Sequence, residues 1–301
     1  DFNYGMALPD GGLTFSAGSQ ENPKPLGDSL VVLGGSFDTV GITYTDSTPD
    51  GFSGELVYDG YAVGFEGFEP LANTGDAANI IFTLPAGGNP DAILGDDGGA
   101  GDGTSQIDGS TFELTTFANP TTSLTINLGD GGDTITLNAL DSTFNVDLTI
   151  AGGAGADSII VNAITGAGTY QFGGGGSNDS LTGPSGAAFA FTGAATGTVD
   201  GDSFTSIETV VSGGGATTFT YNAGVTNFGT ITGDGDDVVN LGDGDDAVVM
   251  SGANAGSINT TDTFSAIGTI NGDGQAGADT ITGTSGAAFA FTGAGAGTVD
   301  S

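Results

Sequence analysis

The chain has 301 residues, 37 of them acidic against a single base, Lys24, with no Cys and no His and a formal charge of −36. That balance excludes nucleic acid and anionic membranes as partners, and the lack of Cys excludes disulfides and thiolate metal sites. No apolar run approaches the ~18 residues of a spanning helix, while 19 Phe and recurring β-branched runs argue against low-complexity disorder.

In chain order, residues 1–120 hold the only Lys and most of the Pro. Short strands are legible at Ser29–Leu33, Gly41–Thr45, Glu55–Tyr58 and Ala78–Leu84. The Gly/Asp-rich stretch Gly95–Asp108 reads as a long loop or a boundary. This part is expected to be an irregular, β-rich solenoid segment or cap, with a separate β-sandwich as the alternative.

From about residue 120 the pattern becomes short strand, Gly/Asp loop, short strand. Ser123–Leu128, Thr134–Leu137, Val146–Ile150 and Ser158–Val161 each alternate apolar and polar residues, the period of a half-buried strand. No stretch sustains a 3.6-residue apolar period, so essentially no helix is expected. Residues 121–301 form the second segment, one of repeats.

The loops between these strands repeat as well. Gly152–Ile160 fits the nonapeptide G-G-x-G-x-D-x-U-x in full. Partial matches are LGDGGDTIT at 128–136, GGGSNDSLT at 174–182, TGDGDDVVN at 232–240, LGDGDDAVV at 241–249 and GQAGADTIT at 274–282. A degenerate copy, SGGGATTFT at 212–220, has Thr217 at the Asp position. Over residues 120–301 the chain resembles the RTX-type calcium-binding β-roll repeats of large bacterial surface and secreted proteins. It departs from them in one respect. Tandem nine-residue spacing occurs only at 232–249, and the other loops stand 22 to 24 residues apart or further. A wider, elongated parallel β-solenoid is therefore expected, all-β, with the calcium-type loops stacked on one corner.

The resemblance implies Ca2+ as the bound ion and the sixth-position aspartates Asp133, Asp157, Asp179, Asp237, Asp246 and Asp279 as side-chain ligands. Asp130, Asp234 and Asp243, at the third position, would be outer or alternative ligands. Ca2+ takes six to eight oxygens, so two stacked loops are needed for each ion. The reading without an ion is that these are Gly/Asp turns between strands. Of the 37 acids, 31 are Asp, a bias suited to tight turns and calcium loops alike. Asp236 and Asp245 are expected to face solvent. Replacing Asp157 is expected to cost more than replacing Asp202, which lies outside every motif.

A phosphate cradle fails for want of a base and a following helix. An enzyme is not expected: β-helix lyase chemistry needs a base or His, and Lys24 stands outside the repeats. Phe189, Phe191, Phe289 and Phe291 are expected as core stacks rather than a carbohydrate platform. Two functions compete. One is a structural section of an extracellular bacterial surface assembly (surface layer, fibre or adhesin stalk) rigidified by Ca2+. The other is a calcium-dependent adhesin that touches cell-surface glycans, which a flat Thr/Asn ladder would favour.

A larger unit repeats too. SGAAFAFTGA occurs at 185–194 and again at 285–294. Phe204-x-x-Ile207-x-x-Val210 matches Phe264-x-x-Ile267-x-x-Ile270 and Phe65-x-x-Phe68-x-x-Leu71. Gly193–Gly197 and Gly252–Gly256 supply small-residue turns before the first two. Such units bury their apolar face only by stacking on copies. The segment Ile281–Ser301 stops within a repeat. The expectations are that further coils follow, that another copy docks end to end through the aromatic stretch Phe2–Phe15, or that the end frays.

Overall fold

A computed structural model describes residues 13–16, 29–48, 51–68, 70–89, 91–272, 279–283, 288–293 and 296–300. Among the described residues every regular element is a strand and none is a helix. The chain divides into two compact units, Asp1–Gly173 and Gly174–Ser301.

In the first unit lie β1 (Leu13–Ser16), β2 (Leu30–Val32), β3 (Ser36–Thr48), β4 (Gly51–Tyr58), β5 (Tyr61–Phe68), β6 (Leu71–Asn73) and β7 (Asp76–Thr83). There follow β8 (Ala92–Asp96), β9 (Thr104–Gly109), β10 (Phe112–Ala118), β11 (Ser123–Asp130), β12 (Thr134–Leu137), β13 (Asp147–Ala154) and β14 (Ser158–Val161). β15 (Tyr170–Gly176) runs through the division. The stretch read as a long loop, Gly95–Asp108, therefore includes most of β9 and the end of β8.

Pairing traces two ladders in this unit. One runs β1-β5-β4-β3-β7-β11-β13. The other runs β2-β6-β10-β9-β8-β12-β14. Both are parallel except where an antiparallel three-stranded meander, β3-β4-β5 or β8-β9-β10, is let into the row. Leu124 and Ile126 of β11 stand beside Leu148 and Ile150 of β13 in register, and all four are fully buried. Ile135 and Leu137 of β12 pair likewise with Ile159 and Val161 of β14. The period-2 pattern thus puts every second side chain into the core.

The second unit holds β16 (Ser180–Thr182), β17 (Ala188–Gly193), β18 (Thr196–Val199), β19 (Asp202–Thr205), β20 (Thr209–Val211), β21 (Thr218–Tyr221) and β22 (Thr230–Asn240). It continues with β23 (Ala247–Gly252), β24 (Ala255–Ile258), β25 (Asp262–Asn271), β26 (Thr280–Thr282), β27 (Ala288–Gly293) and β28 (Ala296–Asp300). The meander recurs as β17-β18-β19 and as β23-β24-β25. Phe189 and Phe191 are buried core residues; Phe189 stacks on Phe219 with centroids 5.2 Å apart, and Phe191 on Phe228 at 4.0 Å.

The ten-residue duplication has a structural counterpart. β27 and β28 form a hairpin with Phe289 opposite Val299 and Phe291 opposite Gly297. That register is the one β17 and β18 adopt, Phe189 opposite Val199 and Phe191 opposite Gly197. The side chains of Phe289 and Phe291, and the stretch 2–12, lie outside the described residues.

Candidate metal centre

The Gly/Asp loops sit directly on one another. Asp133 N–H donates to Asp157 Oδ1 at 2.8 Å, Gly131 N–H to Ala154 O at 2.6 Å and Ser158 N–H to Asp133 O at 2.8 Å. Glycine is required at this contact. A Cβ on Gly153 (φ +109°) would stand 1.9 Å from Gly129 O, and one on Gly155 (φ +132°) 1.8 Å from Gly131 O. Backbone that close, with φ in the left-handed region, leaves room for no side chain.

One rule recurs at the sixth position of the motif. The carboxylate accepts the backbone N–H of the same station in the preceding loop. Asp237 Oδ1 takes Thr217 N–H at 2.8 Å, and Asp279 Oδ1 takes Asp246 N–H at 3.2 Å. Glu208 does the same for Asp179 through Oε2, at 2.8 Å. These aspartates are deep: Asp133 is 1% exposed, Asp157 2%, Asp179 1%, Asp237 0% and Asp246 7%. Asp279 is exposed, as are the third-position Asp130, Asp234 and Asp243.

Burial pushes the Asp133 carboxyl pKa up, against the hydrogen bonds from the Asn89 N–H and side chain, and the nearby Asp130 adds to the rise. Burial raises Asp157 as well, opposed by the Asp133 N–H and reinforced by the Asp133 charge. Two like charges held in stacked loops, away from water, call for a counter-charge or a proton.

The tandem pair behaves differently from its spacing. Nine residues apart, Asp237 and Asp246 join separate columns, the first beside Thr217 and the second beside Asp279. Around Asp237 the carboxylates of Asp234 and Asp236 close in, each residue offering an oxygen within 4.8 Å of the others. Asp234 N–H also donates to Asp237 Oδ2 at 2.7 Å. A hydrogen bond between Asp234 and Asp236 lowers the pKa of the first and raises that of the second. Asp236, expected only to face solvent, is exposed and is also a member of this group. With one carboxylate oxygen from each, Asp234, Asp236 and Asp237 could hold a metal ion.

Several buried polar stations escaped the motif. Asn89 is the equivalent of Asp133 one loop earlier, and its N–H donates to Asp133 Oδ1. LPAGGN and LGDGGD share the Leu and both glycines, a likeness visible once Asn is admitted at the sixth place. Asp202, expected to be an outside position, is buried. Asp141 is buried too, and takes the N–H of Gly101 at 2.6 Å, that of Thr143 at 2.9 Å and the Asn119 amide at 3.2 Å. Burial works to raise its pKa, but bonds from Thr143, Gly101 and Gly103 outweigh that and hold it below the usual range. Saturated with donors, Asp141 is a structural brace.

No protein-family model, curated protein or solved structure matches the chain.

Proposed function

We propose that residues 121–301 are calcium-binding β-solenoid repeats, and that the chain is a structural section of an extracellular bacterial surface assembly whose stiffness depends on Ca2+. The observation that carries this reading is the stacking of buried carboxylates, Asp133 beneath Asp157, in loops whose glycines bring the two backbones into contact. A column of that kind is self-repulsive in the low dielectric of a protein interior, and a divalent cation converts the repulsion into cohesion. Calcium is abundant outside cells, so the fold would set only there. Its partners would be further repeats or copies of itself, stacked end to end.

The test is the melting curve and circular dichroism of the chain in excess Ca2+ and in excess chelator. Saturation at a hundredfold over Kd adds about 2.7 kcal/mol per site. Identical curves in the two buffers would remove the calcium reading.

A calcium-dependent, glycan-binding adhesin is the second reading, supported by one observation. Thr125 of β11 and Thr149 of β13 are in register on the outward face, as are Asn127 and Ala151. Thr125→Asp with Thr149→Asp should abolish glycan retention on an affinity column if that face binds; unchanged retention discards it.

A further inference from the structure

The loop Leu84–Asn89 carries no carboxylate, yet it lies on Leu128–Asp133 as the later loops lie on one another. Leu84 N–H donates to Asn127 O at 2.9 Å, Gly87 N–H to Asp130 O at 2.9 Å, and Thr134 N–H to Asn89 O at 2.8 Å. Asn89 is fully buried, at 0% exposure.

Its amide is surrounded by oxygen. Asn89 Nδ2 is 3.0 Å from Pro85 O, 2.9 Å from Leu128 O and 3.0 Å from Asp133 Oδ1. An amide NH2 has two protons, so three acceptors compete for two hydrogens. The orientation is fixed from the other side, where the Thr111 hydroxyl donates to Asn89 Oδ1 at 2.6 Å. Flipped, the amide would turn an acceptor toward three acceptors. Asp133 Oδ2, meanwhile, is buried with no hydrogen-bond partner.

Two backbone carbonyls and a carboxylate converging from stacked loops are the hard-oxygen set of a divalent cation. Here the centre of that set is a nitrogen. We infer that the loop pair 84–89/128–133 is a cation site of the later loops' kind in which the Asn89 side-chain amide makes directly the link to Asp133 that an ion would make between Asp133 and a carboxylate at position 89. The two amide protons supply the positive pole, and the column begins with a link that needs no metal. The identity of the excluded ion rests on the calcium reading of the later loops; the oxygen cage does not.

The test is Asn89→Asp in the full chain, with Asn222→Asp, an exposed position, as the control. Bound Ca2+ is counted by equilibrium dialysis, and melting is followed with Ca2+ and with chelator. In chelator, Asn89→Asp faces one buried carboxylate with another and should melt lower by on the order of 10 °C. Ca2+ should restore the parent's melting temperature, and the variant should hold one ion more than the parent. Asn222→Asp should change neither quantity.

The inference is overturned if Asn89→Asp binds no additional ion, if it matches the parent in chelator, or if it fails to fold in both buffers. A parent that binds no Ca2+ removes the calcium reading of the later loops, yet one ion gained by the variant still upholds the Asn89 cage. A parent with several ions and a variant with the same number removes only the cage.

Discussion

The Phe204 ring covers Gly197 on the neighbouring antiparallel strand, where a Cβ would stand 2.6 Å from Phe204 Cζ. Phe65 covers Gly54 at 2.7 Å and Phe264 covers Gly256 at 2.8 Å in the same way. An aromatic ring laid over a strand glycine replaces the packing that the missing side chain cannot supply. A Cβ at Gly197 would also meet Ala190 O at 2.5 Å, and backbone there has nowhere to go. Gly197→Ala should therefore destabilise by ~1–3 kcal/mol and Phe204→Ala by ~3–5 kcal/mol, read from chemical denaturation. Equal stability of Gly197→Ala and the parent would show that the pairing is incidental.

The turns of three meanders supply a gain-of-stability experiment. Asp59-Gly60 and Asp200-Gly201 turn with positive φ at both residues (49° and 90°, 51° and 99°), and Asn259-Thr260 does the same at 52° and 64°. In each, the first residue's side chain accepts the N–H of Thr39, Ala188 or Ala247. Only the third turn places a β-branched residue where the others have Gly. Thr260→Gly should relieve roughly 1 kcal/mol of left-handed strain and raise the melting temperature by a few degrees; a fall would contradict it.

Asp157→Asn separates the metal reading from a purely hydrogen-bonded column. Asn keeps an oxygen for the Asp133 N–H but removes a buried charge. In chelator the variant should be as stable as the parent or more so. In Ca2+ it should lose up to about 2.7 kcal/mol at a hundredfold excess over Kd. Asp38→Ala, at an exposed position on β3, is the surface control, because Asp202 is buried and cannot serve. Identical behaviour of Asp157→Asn in both buffers would leave the column without a metal role.

Asp262 gives the pH dependence its sign. It is buried and accepts the Tyr221 hydroxyl at 2.8 Å and the Phe228 N–H at 2.7 Å. Burial, opposed by those bonds, raises its pKa, as burial raises those of Asp133 and Asp157. A folded pKa above the unfolded value gives stability that is complete below the unfolded pKa, about 3.9. It is lost as pH rises through the folded pKa. In chelator the chain should thus melt higher near pH 4 than near pH 8. In Ca2+ the slope should reverse, since protons displace the ion. Asp262→Asn should flatten its share of the chelator slope; an unchanged slope would assign the effect to the loop aspartates alone.

Local features are legible in the order of the residues. Alternation in Leu124–Leu128 and Ile135–Leu137 marks strands because half the side chains of a strand face one way. Gly153 and Gly155 mark a bend, at the end of β13 and just past it, because the backbone there takes φ values that only Gly adopts without strain. The Phe204 and Phe264 spacing marked a larger repeat, but that each copy is an antiparallel meander with the ring laid over a strand glycine came from the structure. Tertiary structure alone decided which loops share a column. Asp133 meets Asp157 over 24 residues and Asn89 over 44, while Asp237 and Asp246, nine residues apart and alike in motif, part company. Strand register sets those partners, and register depends on how many residues each intervening meander consumes. Burial of Asp202, Asp262 and Asn89 was hidden for the same reason. A polar side chain is tolerated inside only where another segment brings the N–H or hydroxyl that pairs with it, and no local pattern records that donor.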